Sequence, residues 1–183
     1  MTIKPGYTRV SEILSQWDHF GAIDKEVLKN KAKLGSLVHE AISAYEDHLS
    51  LPLDEKADGY YQSFLKWREK VDCEFVASEL RLYCDKLKIT GAVDAIVKFP
   101  GDDSLIIIDY KTSAVASPKR WELQGVFYHY LAFVNGFKVS SRFIFLKLDK
   151  KGEYPEMFSY TRSTGLMNVA MSALNTFRFF EKD

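Results

Sequence analysis

Apolar and polar positions change period four times along the chain, and each change marks a change of element. Leu34, Leu37, Val38, Ala41, Ile42, Tyr45 and Leu49 recur at three- and four-residue spacing with Lys and Glu between them, the period of an amphipathic helix. Asp24 is placed to cap that helix, a shorter helical segment precedes it near Val10 to Trp17, and a third, about Asp54 to Val71, follows Pro52. The middle differs. Phe75 to Cys84, Leu87 to Phe99 and Ser104 to Thr112 are rich in β-branched and aliphatic residues and are separated by Asp85-Lys86 and Pro100-Gly-Asp-Asp103, the pattern of a three-stranded meander. Leu105-Ile-Ile-Ile108 is apolar at every position, which predicts a central strand covered on both faces and therefore helices on both sides of the sheet. After Pro118 the helical period returns through Trp121, Val126, Phe127, Tyr130, Leu131 and Val134 and stops at Asn135-Gly136. Ser141 to Leu148 and Tyr154 to Tyr160 read as further strands, and Thr164 to Phe180 as a last helix. The predicted fold is α/β, a mixed, mostly antiparallel central sheet flanked by helices, with residues 1–183 as one domain.

Composition narrows the class without naming a function. The 183 residues are 46% apolar and 27% charged, enough for a full core and unlike a disordered chain. Twenty-five basic and 25 acidic residues cancel, so no global field announces a nucleic-acid partner, although Lys29, Lys31, Lys33 and Lys119, Arg120 form local basic groups. No apolar run reaches the roughly 20 residues a membrane span needs, and Met1-Thr-Ile-Lys-Pro-Gly lacks the apolar core of a secretory signal. A cytoplasmic protein without membrane association is expected. Cys73 and Cys84 are too few for a disulfide framework or a four-cysteine metal site, and are expected to be reduced and structural.

The chemistry gathers at the end of the apolar strand. Residues two apart in a strand share a face, so Asp109 and Lys111 point together while Tyr110 points away. A four-residue loop at Pro100 to Asp103 sets Asp94 opposite Asp109, and a turn centred on Asp85-Lys86 sets Glu79 opposite Ala92, diagonal to Asp94 and on its face. Three acids and a lysine would then converge. Adjacent carboxylates repel unless a cation lies between them, and oxygen ligands favour magnesium or manganese, the ions of phosphodiester hydrolysis. Asp-x-Lys alone carries little, since Asp54-Glu-Lys56 and Asp149-Lys-Lys151 match it too. The plainer reading is a surface ion pair.

Val93-Asp94 followed by Asp109-Tyr-Lys111, with Ser78-Glu79 upstream, resembles the core motif of the PD-(D/E)XK nuclease superfamily. Gly35-Ser-Leu-Val-His39 and Gln124-Gly-Val-Phe-Tyr128 resemble the helical motifs of its RecB-like exonuclease group. The resemblance implies a restriction-endonuclease-like core and a DNA exonuclease using one or two Mg2+ or Mn2+ ions in recombination, repair or phage DNA processing. It implies Glu79, Asp94, Asp109 and Lys111 as catalytic residues. His39, Asp94, Asp109 and the carbonyl of Tyr110 would be metal ligands, and Gln124 and Tyr128 DNA contacts. An iron–sulfur cluster, carried by some relatives, is not expected with two cysteines. The implied partners are DNA ends and a recombination or replication protein, for a stand-alone nuclease of phage type. The alternatives are a non-catalytic DNA-binding or assembly module of the same fold, and an endonuclease of the same superfamily.

Overall fold

A computed structural model describes residues 3–17 and 24–181. The elements run β1 (Thr8–Arg9), α1 (Val10–Ser15), α2 (Lys25–Glu46), α3 (Glu55–Lys70), β2 (Glu74–Cys84), β3 (Ile89–Lys98), β4 (Leu105–Lys111), α4 (Pro118–Val134), β5 (Val139–Lys147), β6 (Glu156–Thr161) and α5 (Thr164–Phe180). Asp24 caps α2 by accepting from the Glu26 amide, Asp54 caps α3 through Ala57, and Ser163 caps α5 through Leu166. The helix predicted to reach Leu49 ends at Glu46, and Leu49 lies exposed beyond it.

The six strands form one mixed sheet. β2 covers one edge of β3 along its whole length, so β4 and the two-residue β1 share the other edge at opposite ends. β4 then pairs in parallel with β5, and β5 antiparallel with β6. The predicted meander is β2–β3–β4, and the central strand is β4. β1 was not predicted, because two residues carry no period to detect.

Both faces of the sheet are covered. One core holds Ile107, Phe143 and Phe145 under α1, α4 and α5, with Trp121, Val126, Phe127 and Leu174. The other holds Ile106, Ile108, Tyr110 and Leu146 under α2 and α3, with Val38, Ile42, Phe64 and Trp67. This two-sided burial is why β4 reads as an unbroken apolar run. Both cysteines are buried and free. Among the described residues no helix is long and apolar enough to cross a membrane.

The turn between β2 and β3 corrects one register. Cys84 pairs with Ile89, so the loop is Asp85–Lys88 and Arg81, not Glu79, stands opposite Ala92. Leu87 made the strand look longer than it is. Moving the turn centre by one residue moves the register by two, which keeps Glu79 on the parity assigned to it. The β3–β4 register is that of a four-residue loop, with Ala95 opposite Ile108.

Candidate active site

The site is built where β4 ends. Asp109 and Lys111, two apart, face α4, and Tyr110 faces α2 and α3. Lys111 Nζ lies 2.5 Å from Asp109 Oδ2 and donates to Gln124 Oε1 at 3.0 Å. Gln124 Nε2 donates to the Tyr128 phenol oxygen at 2.8 Å and reaches Asp109 Oδ1 at 3.4 Å. The Lys111 ammonium sits 5.2 Å from the centre of the Phe145 ring. Asp109 is 2% exposed, so this is an interior ion pair and not the surface pair of the plainer reading.

The other two acids gather on α2. His39 Nδ1 lies 3.4 Å from Asp94 Oδ1 and 3.6 Å from Glu79 Oε1, and Asp94 Oδ2 accepts from the Tyr110 amide at 2.7 Å. A change of face in both strands brings this about. Ile89 and Val93 belong to the α4-side core but so does Ile96, while Ala95 and Val97 belong to the α2-side core. The alternation of β3 therefore slips between Val93 and Ala95. On β2 the matching slip falls at Glu79, whose φ of 47° is left-handed, a costly conformation for a residue with a Cβ. The paired ladder skips Glu79 and Asp94 and resumes on either side. The four residues stay within electrostatic reach of one another while taking different helical partners: Glu79 and Asp94 reach His39 on α2, and Asp109 and Lys111 reach Gln124 on α4.

His39 arrives on α2, whose Gly35, one turn earlier, would carry a Cβ 3.3 Å from Thr112 Oγ1 just past β4. The helix therefore runs close over the end of β4. The imidazole packs edge-on to the Tyr110 ring at 6.0 Å, which fixes its plane. Its side chain keeps 24% of its surface and Glu79 keeps 40%, and a groove of about 520 Å³ opens beside them between Ser36, Glu40, Ser43 and Leu51.

Charge is unbalanced at this point. Burial opposes a charge on His39, yet Asp94, helped by Glu79 and Asp109, pushes its pKa up to about 10. Burial and the neighbouring Asp94 raise Asp109 to about 7 against the pull of Lys111. Asp94, against its own burial, is held below the ordinary carboxylate range by His39, Lys111 and the Tyr110 amide. The same negative potential that holds a proton on His39 would hold a divalent cation. One imidazole and two carboxylates offer ligand atoms within 4.8 Å of one another, the only such group among the described residues. Asp109 Oδ2, buried with no hydrogen bond of good geometry, stands ready beside them. The donor set fits a divalent ion.

Sequence reasoning missed Gly91. A Cβ there would lie 2.7 Å from the Tyr128 ring, so this glycine of β3 makes the space that Tyr128 fills. Its signal was present, because a glycine inside a strand pattern marks close approach. The hydrogen bond from the Tyr110 amide to Asp94 had no sequence signal.

A model of the PD-(D/E)XK nuclease superfamily matches residues 47–164, more than half of the chain, a span that holds Glu79, Asp94, Asp109, Lys111, Gln124 and Tyr128 but not the α2 residues. No curated protein matches the sequence. Among solved structures, a candidate exonuclease from Eubacterium rectale superposes with a TM-score of 0.57 at 12% identity, over 96% of this chain and 84% of that one. The crystal structure of SSO0001 superposes with a TM-score of 0.51 at 14% identity, over 96% of this chain and 78% of that one. At such identities the likeness is one of fold.

Proposed function

Because the chain belongs to the PD-(D/E)XK nuclease superfamily, we propose that it is a cytoplasmic DNA exonuclease using one or two magnesium or manganese ions, with residues 1–183 acting as one nuclease domain. The observation that carries the reading is the juxtaposition of His39, Glu79 and Asp94 with the buried Asp109–Lys111 pair, joined through the Tyr110 amide. His39, Asp94, Asp109 and the Tyr110 carbonyl are assigned as ligands, with Glu79 binding the ion or orienting water from the open side.

When bound, the ion would polarise the scissile phosphate and lower the pKa of a water. The protein's own groups do the rest. The Tyr110 amide holds Asp94 in one orientation, so its free oxygen Oδ1 faces the cluster. Lys111 brings a fixed positive charge to the point where negative charge grows on the phosphate. Lys29, Lys31 and Lys33, exposed on α2, are available to the DNA backbone. The exonuclease mode draws support from the description of the Eubacterium rectale neighbour. DNA recombination, repair or phage DNA processing is the setting in which such an activity would serve.

The test is digestion of end-labelled linear single- and double-stranded DNA and of closed circles, with magnesium, manganese or chelator. Linear DNA is expected to shorten only with metal and circles to persist. Asp109→Ala and Lys111→Ala are expected to lose on the order of 10³-fold in rate. Undiminished cleavage by both variants would refute the assignment, and cut circles would make the protein an endonuclease.

A further inference from the structure

We infer that Gln124 and Tyr128 are positioning residues that hold Lys111 in its working place, and not contacts for DNA. The inference rests on the nuclease reading of this site and deepens it. Both side chains are only 7% exposed, and both ends of the Gln124 amide are committed inside the protein. Its oxygen accepts from Lys111 Nζ at 3.0 Å, and its nitrogen donates to Tyr128 at 2.8 Å while facing Asp109 at 3.4 Å.

Only one orientation of the amide is tolerated. Reversal would aim two N–H donors at an ammonium and an oxygen at a carboxylate. Tyr128 is the peg that keeps the amide from rotating: it lies one turn along α4, on the same face. Its ring occupies the space over Gly91, where even a methyl group would come within 2.7 Å. The chain of contact runs from the β3 backbone to Tyr128, Gln124 and the Lys111 ammonium.

Lysine needs such a chain. It ends in a compact charge on a flexible four-carbon stem, and Asp109 Oδ2 at 2.5 Å competes for it. Without Gln124 the ammonium loses its hydrogen-bond acceptor and keeps only the charge contact with Asp109. Its stem would then be free to swing about that carboxylate and leave the space in front of the phosphate. A displacement of about 1 Å in a catalytic group costs on the order of 10²-fold in rate.

Two variants test this. Gln124→Met keeps the volume of the side chain and removes its three hydrogen bonds; Tyr128→Phe keeps the ring and removes one oxygen. Three quantities are read: maximal digestion rate, Kd for the same DNA in calcium, and the side-chain ammonium 15N–1H signal of Lys111 in the protein without DNA. The expected result is a maximal rate lower by on the order of 10²-fold for Gln124→Met and by about 5-fold for Tyr128→Phe. DNA Kd should stay within about 2-fold, and the Lys111 signal should broaden or vanish in Gln124→Met. A raised Kd with an unchanged maximal rate would overturn the inference in favour of DNA contact, as would a silent Tyr128→Phe, since a stacking ring needs no hydroxyl. A Lys111 signal unchanged in Gln124→Met would overturn it too, and that reading needs no activity. If the wild type cut no DNA, the nuclease assignment would fail separately.

Discussion

Two clusters of charge lie on either side of the β3–β4 junction, and they are built to opposite rules. On the α4 side, Asp109, Lys111, Gln124 and Tyr128 form a closed network in which opposite charges meet and the amide is committed at both ends. On the α2 side, His39, Glu79 and Asp94 bring two carboxylates to one imidazole, open to a groove, with Glu79 held in a left-handed backbone. On the proposed reading, the closed side keeps the Lys111 charge in place for catalysis. The open side has surplus negative potential, which favours a cation. Strain belongs to the open side, where the surrounding sheet enforces it.

The comparison breaks most sharply if metal binding and catalysis do not separate. Asp94→Asn should abolish manganese binding together with cleavage. Lys111→Ala should bind manganese within about 3-fold of wild type and still lose on the order of 10³-fold in rate. Calorimetric titration with manganese beside the digestion assay reads both, and a Lys111→Ala protein unable to bind the ion would merge the two clusters into one.

Next in size is a pH effect centred on the open side. The pKa of His39 is raised from 6.5 to about 10, so the stability it contributes is full below 6.5 and is lost as pH rises through 10. Asp94, shifted down, contributes above its unfolded pKa and loses that contribution only in acid. Asp109, shifted up from 3.8 to about 7, becomes a burden as pH rises between those values and weighs constantly above 7, so between pH 7 and 10 the His39 loss is what remains. The metal-free protein should lose about 5 °C in Tm across that window, and His39→Gln should flatten the loss. An equal slope in that variant would remove His39 as its cause. Manganese binding at pH 7 should also release protons, measured in weak buffer.

The smallest effect sharpens the role of strain. Glu79→Gly relieves the left-handed backbone and removes one of the repelling carboxylates, and should raise stability of the metal-free protein by about 0.5–1 kcal/mol. It should also weaken manganese binding by about 10-fold. A loss of stability on thermal unfolding would show that Glu79 serves the fold and not the ion.

How much of this was legible in the sequence differs between the two sides. The closed side was nearly all there: four aliphatic residues located β4, parity set Asp109 beside Lys111, and four-residue spacing put Gln124 and Tyr128 on one helical face. What the sequence could not convey was that the second pair turns inward onto the first, because α4 can be rotated over a sheet without changing its period. The open side was legible in its residues and not in its geometry. Leu87 disguised a turn as strand, although the resulting error of two positions kept Glu79 on its parity. The face change at Glu79 and Asp94 rests on a positive φ at a glutamate, which no propensity signals. That change sends Asp94 to His39.

The central claim is that His39, Asp94, Asp109 and the Tyr110 carbonyl, with Glu79 within reach, hold the ion beside Lys111. The most direct measurement is the anomalous scattering of manganese in crystals of the wild-type protein. The account predicts a peak among His39, Asp94, Asp109 and the Tyr110 carbonyl, with Glu79 within reach, and its disappearance in Asp94→Asn. A manganese peak away from these residues, or one undiminished in Asp94→Asn, would contradict it.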